Sequence, residues 1–167
     1  MKYFAYGSNM DAARMNKRIG RIPEQKLAKL SGYSLVFNKK ADNKTGVGYA
    51  NISVSEIGLV YGILYEITEI ELKMLDVYEC VRSSHYKRFP VNVQVNQETV
   101  TATTYIACEG KIREGLLPER KYIDHLLAAS NLLPPDYVLA LQNQKTIDRH
   151  MYQEQQCRPR NNFAAVL

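Results

Sequence analysis

The sequence has no apolar run approaching ~18 residues and no charged-then-apolar leader, so it offers neither a membrane span nor a signal peptide. Its three cysteines, Cys80, Cys108 and Cys157, are too far apart for a metal knuckle, and their odd number argues against a complete disulfide framework. Its three histidines, His85, His125 and His150, share no ligand spacing and no nearby carboxylate pattern. His125 and His150 read as surface or helix-face positions. No internal repeat or low-complexity block is present. These absences predict a soluble, cytoplasmic protein with no metal and no membrane partner. With 167 residues the chain has the length of one domain with a real hydrophobic core.

Charge is unevenly spread, with a net +6 over residues 1–60, −3 over 61–140 and +2 over 141–167. The basic first third lacks an arginine-rich run or an aromatic stacking motif, which argues against nucleic acid as a partner. Lys17, Arg18, Arg21, Lys26 and Lys29 read as the polar side of a helix and its loop. Attraction of small anionic ligands is the better use of this charge.

The chain is organised around Tyr3-Phe4-Ala5-Tyr6-Gly7-Ser8-Asn9-Met10. Tyr3 to Tyr6 reads as a short buried strand ending at a glycine. Ser8 and Asn9 are good helix caps, and Asp11 favours a first turn, so a helix is expected to run to about Ile19, ending at Gly20. A strand feeding a glycine turn and a helix start leaves N–H groups that can hold an anion, although it also serves as a plain connection.

After a polar connection over 22–29, strands are expected at Leu30–Phe37 and Gly48–Ile52, joined by the turn Asp42–Gly46. Gly48 and Ala50 leave a nearly bare strand face, open either to a ligand or to a second backbone. Leu59–Ile67 reads as a central strand. Thr68 then caps a helix with Ile70, Leu72 and Leu75 as its buried members. Strands over Tyr86–Val95 and Thr99–Ala107 flank an Asn96-Gln97 turn. Helices follow from Leu116 and from Tyr137 to Gln142. The expected fold is α+β, a predominantly antiparallel sheet curled into a small barrel with flanking helices. Residues 1–142 form the domain, and 143–167 a polar C-terminal tail docked on it.

Among ionisable residues Glu79 stands out. It follows an apolar helix and lies between Tyr78 and Cys80-Val81, so partial burial is expected, which raises a carboxyl's pKa and suits it to proton exchange. The ordinary alternative is a glutamate at a helix end with its carboxylate in water. Ser8 lacks a nucleophile-elbow pattern, and no cysteine has a context that marks it as a thiolate.

As a set these stretches resemble the γ-glutamylcyclotransferase family and its AIG2-like relatives. The resemblance rests on Phe4 to Met10, Gly48 to Ile52, Val60 to Tyr65, Leu75-Asp76-Val77-Tyr78-Glu79-Cys80-Val81 followed by Tyr86-Lys87-Arg88, and Ala102 to Tyr105. It implies a small barrel whose cavity holds a small-molecule γ-glutamyl substrate, with the loop Tyr6, Gly7, Ser8 and Asn9 binding the glutamyl head. It also implies that Glu79 is the catalytic proton-transfer residue. The reaction would close the α-amine onto the γ-carbonyl, releasing 5-oxoproline and a free amine, with Glu79 as base and then acid. Tyr6, Tyr86 and Tyr105 would line the cavity and orient Glu79, although each is explained equally as a core residue, and the implied reaction needs no metal or organic cofactor. A homodimer is compatible with the sequence. Two other readings stay open, a cyclotransferase for a specialised biosynthetic intermediate and a non-catalytic binding protein that keeps the cavity. Family members often carry glycine where this chain has Cys80, and the C-terminal quarter offers no match.

Overall fold

The computed structural model describes residues 1–148. Five strands, β1 (Lys2–Ala5), β2 (Gln25–Lys40), β3 (Gly48–Glu66), β4 (Tyr86–Val95) and β5 (Glu98–Ala107), close into a barrel in the order β1-β3-β2-β4-β5. Neighbours are antiparallel except at the seam, where β1 and β5 run parallel and Tyr3 faces Thr103. Among the described residues four helices flank it: α1 (Ala12–Ile19), α2 (Glu69–Tyr78), α3 (Arg120–Leu127) and α4 (Pro135–Gln142). This is the α+β barrel expected from the sequence.

Two strands are longer than composition suggested. β2 begins at Gln25, inside the stretch read as a polar connection, because β3 supplies partners from Tyr65 back to Leu59. β3 is a single strand in which the two separately expected strands merge. Gly32, at φ +83°, marks a bulge between Ser31 and Tyr33 that bends β2. Beyond the bulge Phe37 and Lys39 alternate inward and are both buried. Gly48 answers the question of the bare strand face on its own account. A Cβ there would lie 1.9 Å from the Phe37 carbonyl oxygen, so the glycine admits a crossing backbone.

The helix after the opening loop starts later than its caps implied. Ser8–Met10 form a 3-10 turn, and Asp11 is the N-cap, its carboxylate accepting from the N–H groups of Ala13 and Arg14. An aspartate with two free N–H groups in reach caps more strongly than the serine before it. Thr68 caps α2 in a capping box with Glu71. Leu72 and Leu75 are buried there, whereas Ile70, expected in the core, is 73% exposed on the outer face of α2. Asn96 and Gln97, both at positive φ, make the tight turn between β4 and β5. Of the tail, the Ile147 N–H bonds the Pro118 carbonyl at 3.0 Å, and Asp148 accepts from the Arg120 N–H at 2.8 Å. The expectations for His150, Cys157 and a docked tail over 149–167 lie outside the described residues.

Candidate active site

The end of β1 and the turn after it are fixed by buried tyrosines. The Tyr65 hydroxyl, on β3, donates to the carbonyl of Asn9 at 2.9 Å. Asn9, itself buried, turns its side-chain amide inward and donates to the Tyr3 hydroxyl at 2.7 Å and to Glu79 Oε1 at 3.1 Å. Among the described residues the N–H groups of Gly7 and Asn9 meet no main-chain acceptor. A Cβ on Gly7 would sit 3.2 Å from both the Ala50 Cβ and the Tyr122 hydroxyl, so any side chain there crowds its neighbours, and closeness rather than its φ of −117° favours glycine.

Glu79 terminates α2, its N–H bonding the Leu75 carbonyl. The chain then turns at once through Cys80 at φ 51° and ψ 45°, the left-handed region that glycine adopts most readily. That turn aims the carboxylate back toward the barrel mouth. Its side chain is 15% exposed, so the expected burial is found. Its partner was not expected. Arg18, from α1 and only 9% exposed, donates to Glu79 Oε1 at 2.8 Å and to Asn9 Oδ1 at 2.7 Å, with its guanidinium 4.8 Å above the Tyr78 ring. Asn9, Arg18 and Glu79 therefore form a closed triangle, and among the described residues every hydrogen bond to the carboxylate falls on Oε1.

The loop and carboxylate face a narrow inner chamber walled by Tyr3, Tyr6, Tyr86, Tyr105 and Tyr122. Their hydroxyls are mostly committed to the fold. Tyr6 donates to the Tyr105 carbonyl at 2.5 Å and Tyr86 to the Ala50 carbonyl at 2.8 Å. The Tyr105 hydroxyl points to α2, 2.8 Å from Asp76 Oδ1, whose carboxylate also pairs with Arg88. Burial, above all, pushes the pKa values of Tyr6, Tyr86 and Tyr105 upward, so these phenols stay neutral walls. Orienting Glu79, which the sequence assigned to them, falls instead to Asn9 and Arg18.

Tyr122, on α3, has no sequence signal beyond its place in an apolar helix face. It reaches into the chamber, accepts from the Ala50 N–H at 3.2 Å and lies beside Ser8. Burial raises its pKa to about 12, against the lowering effect of the Ala50 N–H. Past Ser8, Glu79, Tyr86 and Tyr122 the chamber widens into an outer cleft of about 340 Å3, lined further by Arg14, Lys39, Asp42 and His85. The histidines do meet carboxylates, contrary to their spacing in sequence: His85 with Asp42 at 3.0 Å and His125 with Asp11 at 2.7 Å. Both acids arrive from distant segments, which no local pattern reveals.

Among the described residues the small chamber carries one carboxylate, that of Glu79, beside a glycine turn at the mouth of a closed barrel, an arrangement suited to a small-molecule site. Residues 3–124 match the family described as Gamma-glutamyl cyclotransferase, AIG2-like, and the chain belongs to it. It is 28% identical over 140 residues to a γ-glutamylcyclotransferase of Bos taurus, covering 81% of this chain and 73% of the relative. A solved γ-glutamyl cyclotransferase superposes with a TM-score of 0.79 at 25% identity over 89% of each chain. An uncharacterized Homo sapiens protein superposes with a TM-score of 0.78 at 26% identity, over 88% of this chain and 89% of that one.

Proposed function

We propose that this chain releases 5-oxoproline and a free amine from a γ-glutamyl amide, with Glu79 as general base and then general acid. The observation that carries the reading is the triangle of Asn9, Arg18 and Glu79, which pins Oε1 of a carboxylate lining the chamber and, among the described residues, leaves Oε2 without a hydrogen bond. The substrate supplies its own nucleophile. Its α-amino nitrogen attacks the γ-carbonyl carbon, a five-membered lactam closes, and the bond to the leaving nitrogen breaks. Glu79 Oε2 takes the proton shed by the attacking nitrogen and returns it to the departing one, so no net proton is consumed.

The remaining residues fit supporting roles. The N–H groups of Gly7 and Asn9 are free to hold the α-carboxylate or the oxygen that gains negative charge. Neutral tyrosine walls exclude water, which favours cyclisation over hydrolysis. Tyr6, Gly7, Ser8, Asn9, Tyr86, Tyr105 and Tyr122 would thus contact the glutamyl part, and the leaving amine would lie in the outer cleft.

The test is product analysis with γ-glutamyl dipeptides, γ-glutamyl amines and glutathione. The reading expects 5-oxoproline and free amine in equal amounts from at least one substrate. Glutamate in place of 5-oxoproline would mean hydrolysis, and no product from folded protein would move the chain to a binding role.

A further inference from the structure

Glu79 ends a helix whose last turn has little apolar anchorage. Leu72 and Leu75 are the buried apolar side chains of α2, and beyond them Val77 and Tyr78 are 73% and 50% exposed. What ties this turn to the barrel is polar. Asp76, one helical turn before Glu79, receives a fork from Arg88 on β4, with Nε donating to Oδ1 at 2.9 Å and Nη2 to Oδ2 at 2.7 Å. The third guanidinium nitrogen, Nη1, donates to Glu69 Oε1 at 3.0 Å. Glu69 opens α2 and Asp76 lies near its end, about 10 Å further along the helix axis. One side chain therefore grips the helix at both ends, which restrains tilt and sliding together.

Arg88 does not act alone. It stands opposite Tyr105 in the ladder of β4 and β5, and the Tyr105 hydroxyl lies 2.8 Å from Asp76 Oδ1 and 3.2 Å from the Leu72 carbonyl. The Tyr105 ring meanwhile walls the inner chamber. The platform that grips α2 is thus part of the pocket that Glu79 must face. Burial works to raise the Asp76 pKa, but the hydrogen bonds from Arg88 and Tyr105 hold it below its ordinary value, so the fork stays charged at neutral pH. Arg18 and Asn9 fix the Glu79 carboxylate from the side of α1, and the fork fixes the backbone that carries it from the side of β4.

We infer that Arg88, through Asp76, is a positioning residue for the cyclisation: it sets where α2 ends against the barrel and so holds Glu79 within reach of both nitrogens. This rests on the cyclotransferase reading, since the placing of Glu79 matters only if Glu79 moves the proton. Arg88 lines neither the chamber nor the outer cleft. Its loss therefore lowers kcat and leaves binding of the glutamyl part almost intact, because the glycine turn does not depend on the fork.

The test is turnover of γ-glutamyl-alanine, γ-glutamyl-ethylamine and glutathione per binding-competent site, with the sites counted by titration with 5-oxoproline. Arg88→Met is expected to lower kcat by about ten- to a hundredfold, the effect of a misplacement of about 1 Å, with KM and the 5-oxoproline affinity within about threefold of wild type. Arg88→Lys keeps the charge but cannot form the fork, so its kcat falls between the two. Arg21→Met supplies the contrast. It removes the ion pair of Glu71 near the start of α2 and should reduce stability while kcat stays within about twofold. A wild-type kcat in Arg88→Met would overturn the inference, and so would an equal fall in Arg21→Met, which would make Arg88 a general support of the helix. If Arg88→Met does not fold, Arg88→Lys decides, and an unchanged kcat there overturns the inference. The two failures are distinguishable. Turnover by wild type that is insensitive to Arg88 overturns the positioning role alone, whereas no 5-oxoproline from any of the three substrates overturns the underlying reading and this inference with it.

Discussion

Replacing Arg18 by methionine tests the triangle without any knowledge of the substrate. The two charges are enclosed, at 9% and 15% side-chain exposure, and 2.8 Å apart, so removing one strands the other in a poorly solvated place. Breaking such a pair typically costs about 3–5 kcal/mol. The two halves are not equivalent. Without Glu79, Arg18 keeps the side-chain Oδ1 of Asn9 at 2.7 Å and the Tyr78 face, whereas without Arg18 the carboxylate keeps, among the described residues, only the Asn9 side-chain NH2. Arg18→Met is therefore expected to lower stability by about 3 kcal/mol and Glu79→Gln by only about 1–2 kcal/mol. The double variant, with neither charge buried, should recover part of the loss, leaving a coupling of about 2 kcal/mol. Urea unfolding of the four proteins reads these values directly, provided the slope of each transition is unchanged. A coupling well under about 1 kcal/mol, as for a solvated surface pair, would refute the enclosure on which the site's geometry depends.

Gly7→Val brings a branched side chain into contacts already at 3.2 Å, so affinity for 5-oxoproline is expected to fall by about tenfold or more. Unchanged affinity in a folded Gly7→Val protein would remove the glycine turn from the binding site. Cys80→Gly relieves a non-glycine residue at φ 51° and should raise stability by about 1 kcal/mol, seen as a higher urea midpoint; a lower midpoint would mean that the cysteine side chain contributes more than its backbone strain costs. Glu71 is held at about 2 by hydrogen bonds from Arg21 and from the Thr68 N–H, below its ordinary 4.5. A carboxyl whose pKa is lower in the folded state stabilises at pH above its unfolded value, and that contribution is lost as pH falls from about 4.5 through about 2. Glu71→Gln should flatten this part of the stability profile, and an unaltered slope would contradict the pairing.

Much of the fold was legible because it is written in local pattern. The apolar stretch before Gly7, the helix cap at Thr68 and the Asn96-Gln97 turn each specify their element through nearby residues, and all three appear in place. The starts of α1 and β2 were not legible for opposite reasons. Asp11 outcompeted equally plausible caps by a few atoms of reach, while residues 25–29 became strand only because β3 lay alongside. At the site, Glu79 could be singled out from its neighbours, whereas the left-handed turn at Cys80 that aims it was not read from the sequence. Arg18 could not. On α1 it stands beside Lys17 and just before Arg21 as one more basic residue of a polar stretch, and only the packing of α1 against α2 turns it inward. Lys39 carried a clue in its alternation with buried Phe37, but a lysine near a hairpin turn reads as solvated until the strand's inward face is known.

The most direct test of the central claim compares wild type with Glu79→Gln for 5-oxoproline formation and for binding of a non-reactive γ-glutamyl analogue. Glutamine keeps the size and one acceptor of the side chain but cannot carry the proton between the two nitrogens. The account predicts that turnover falls by about a hundred- to ten-thousandfold while the analogue still binds within a few-fold of wild type. A Glu79→Gln protein that forms 5-oxoproline at a near-normal rate would contradict it and place the proton transfer elsewhere.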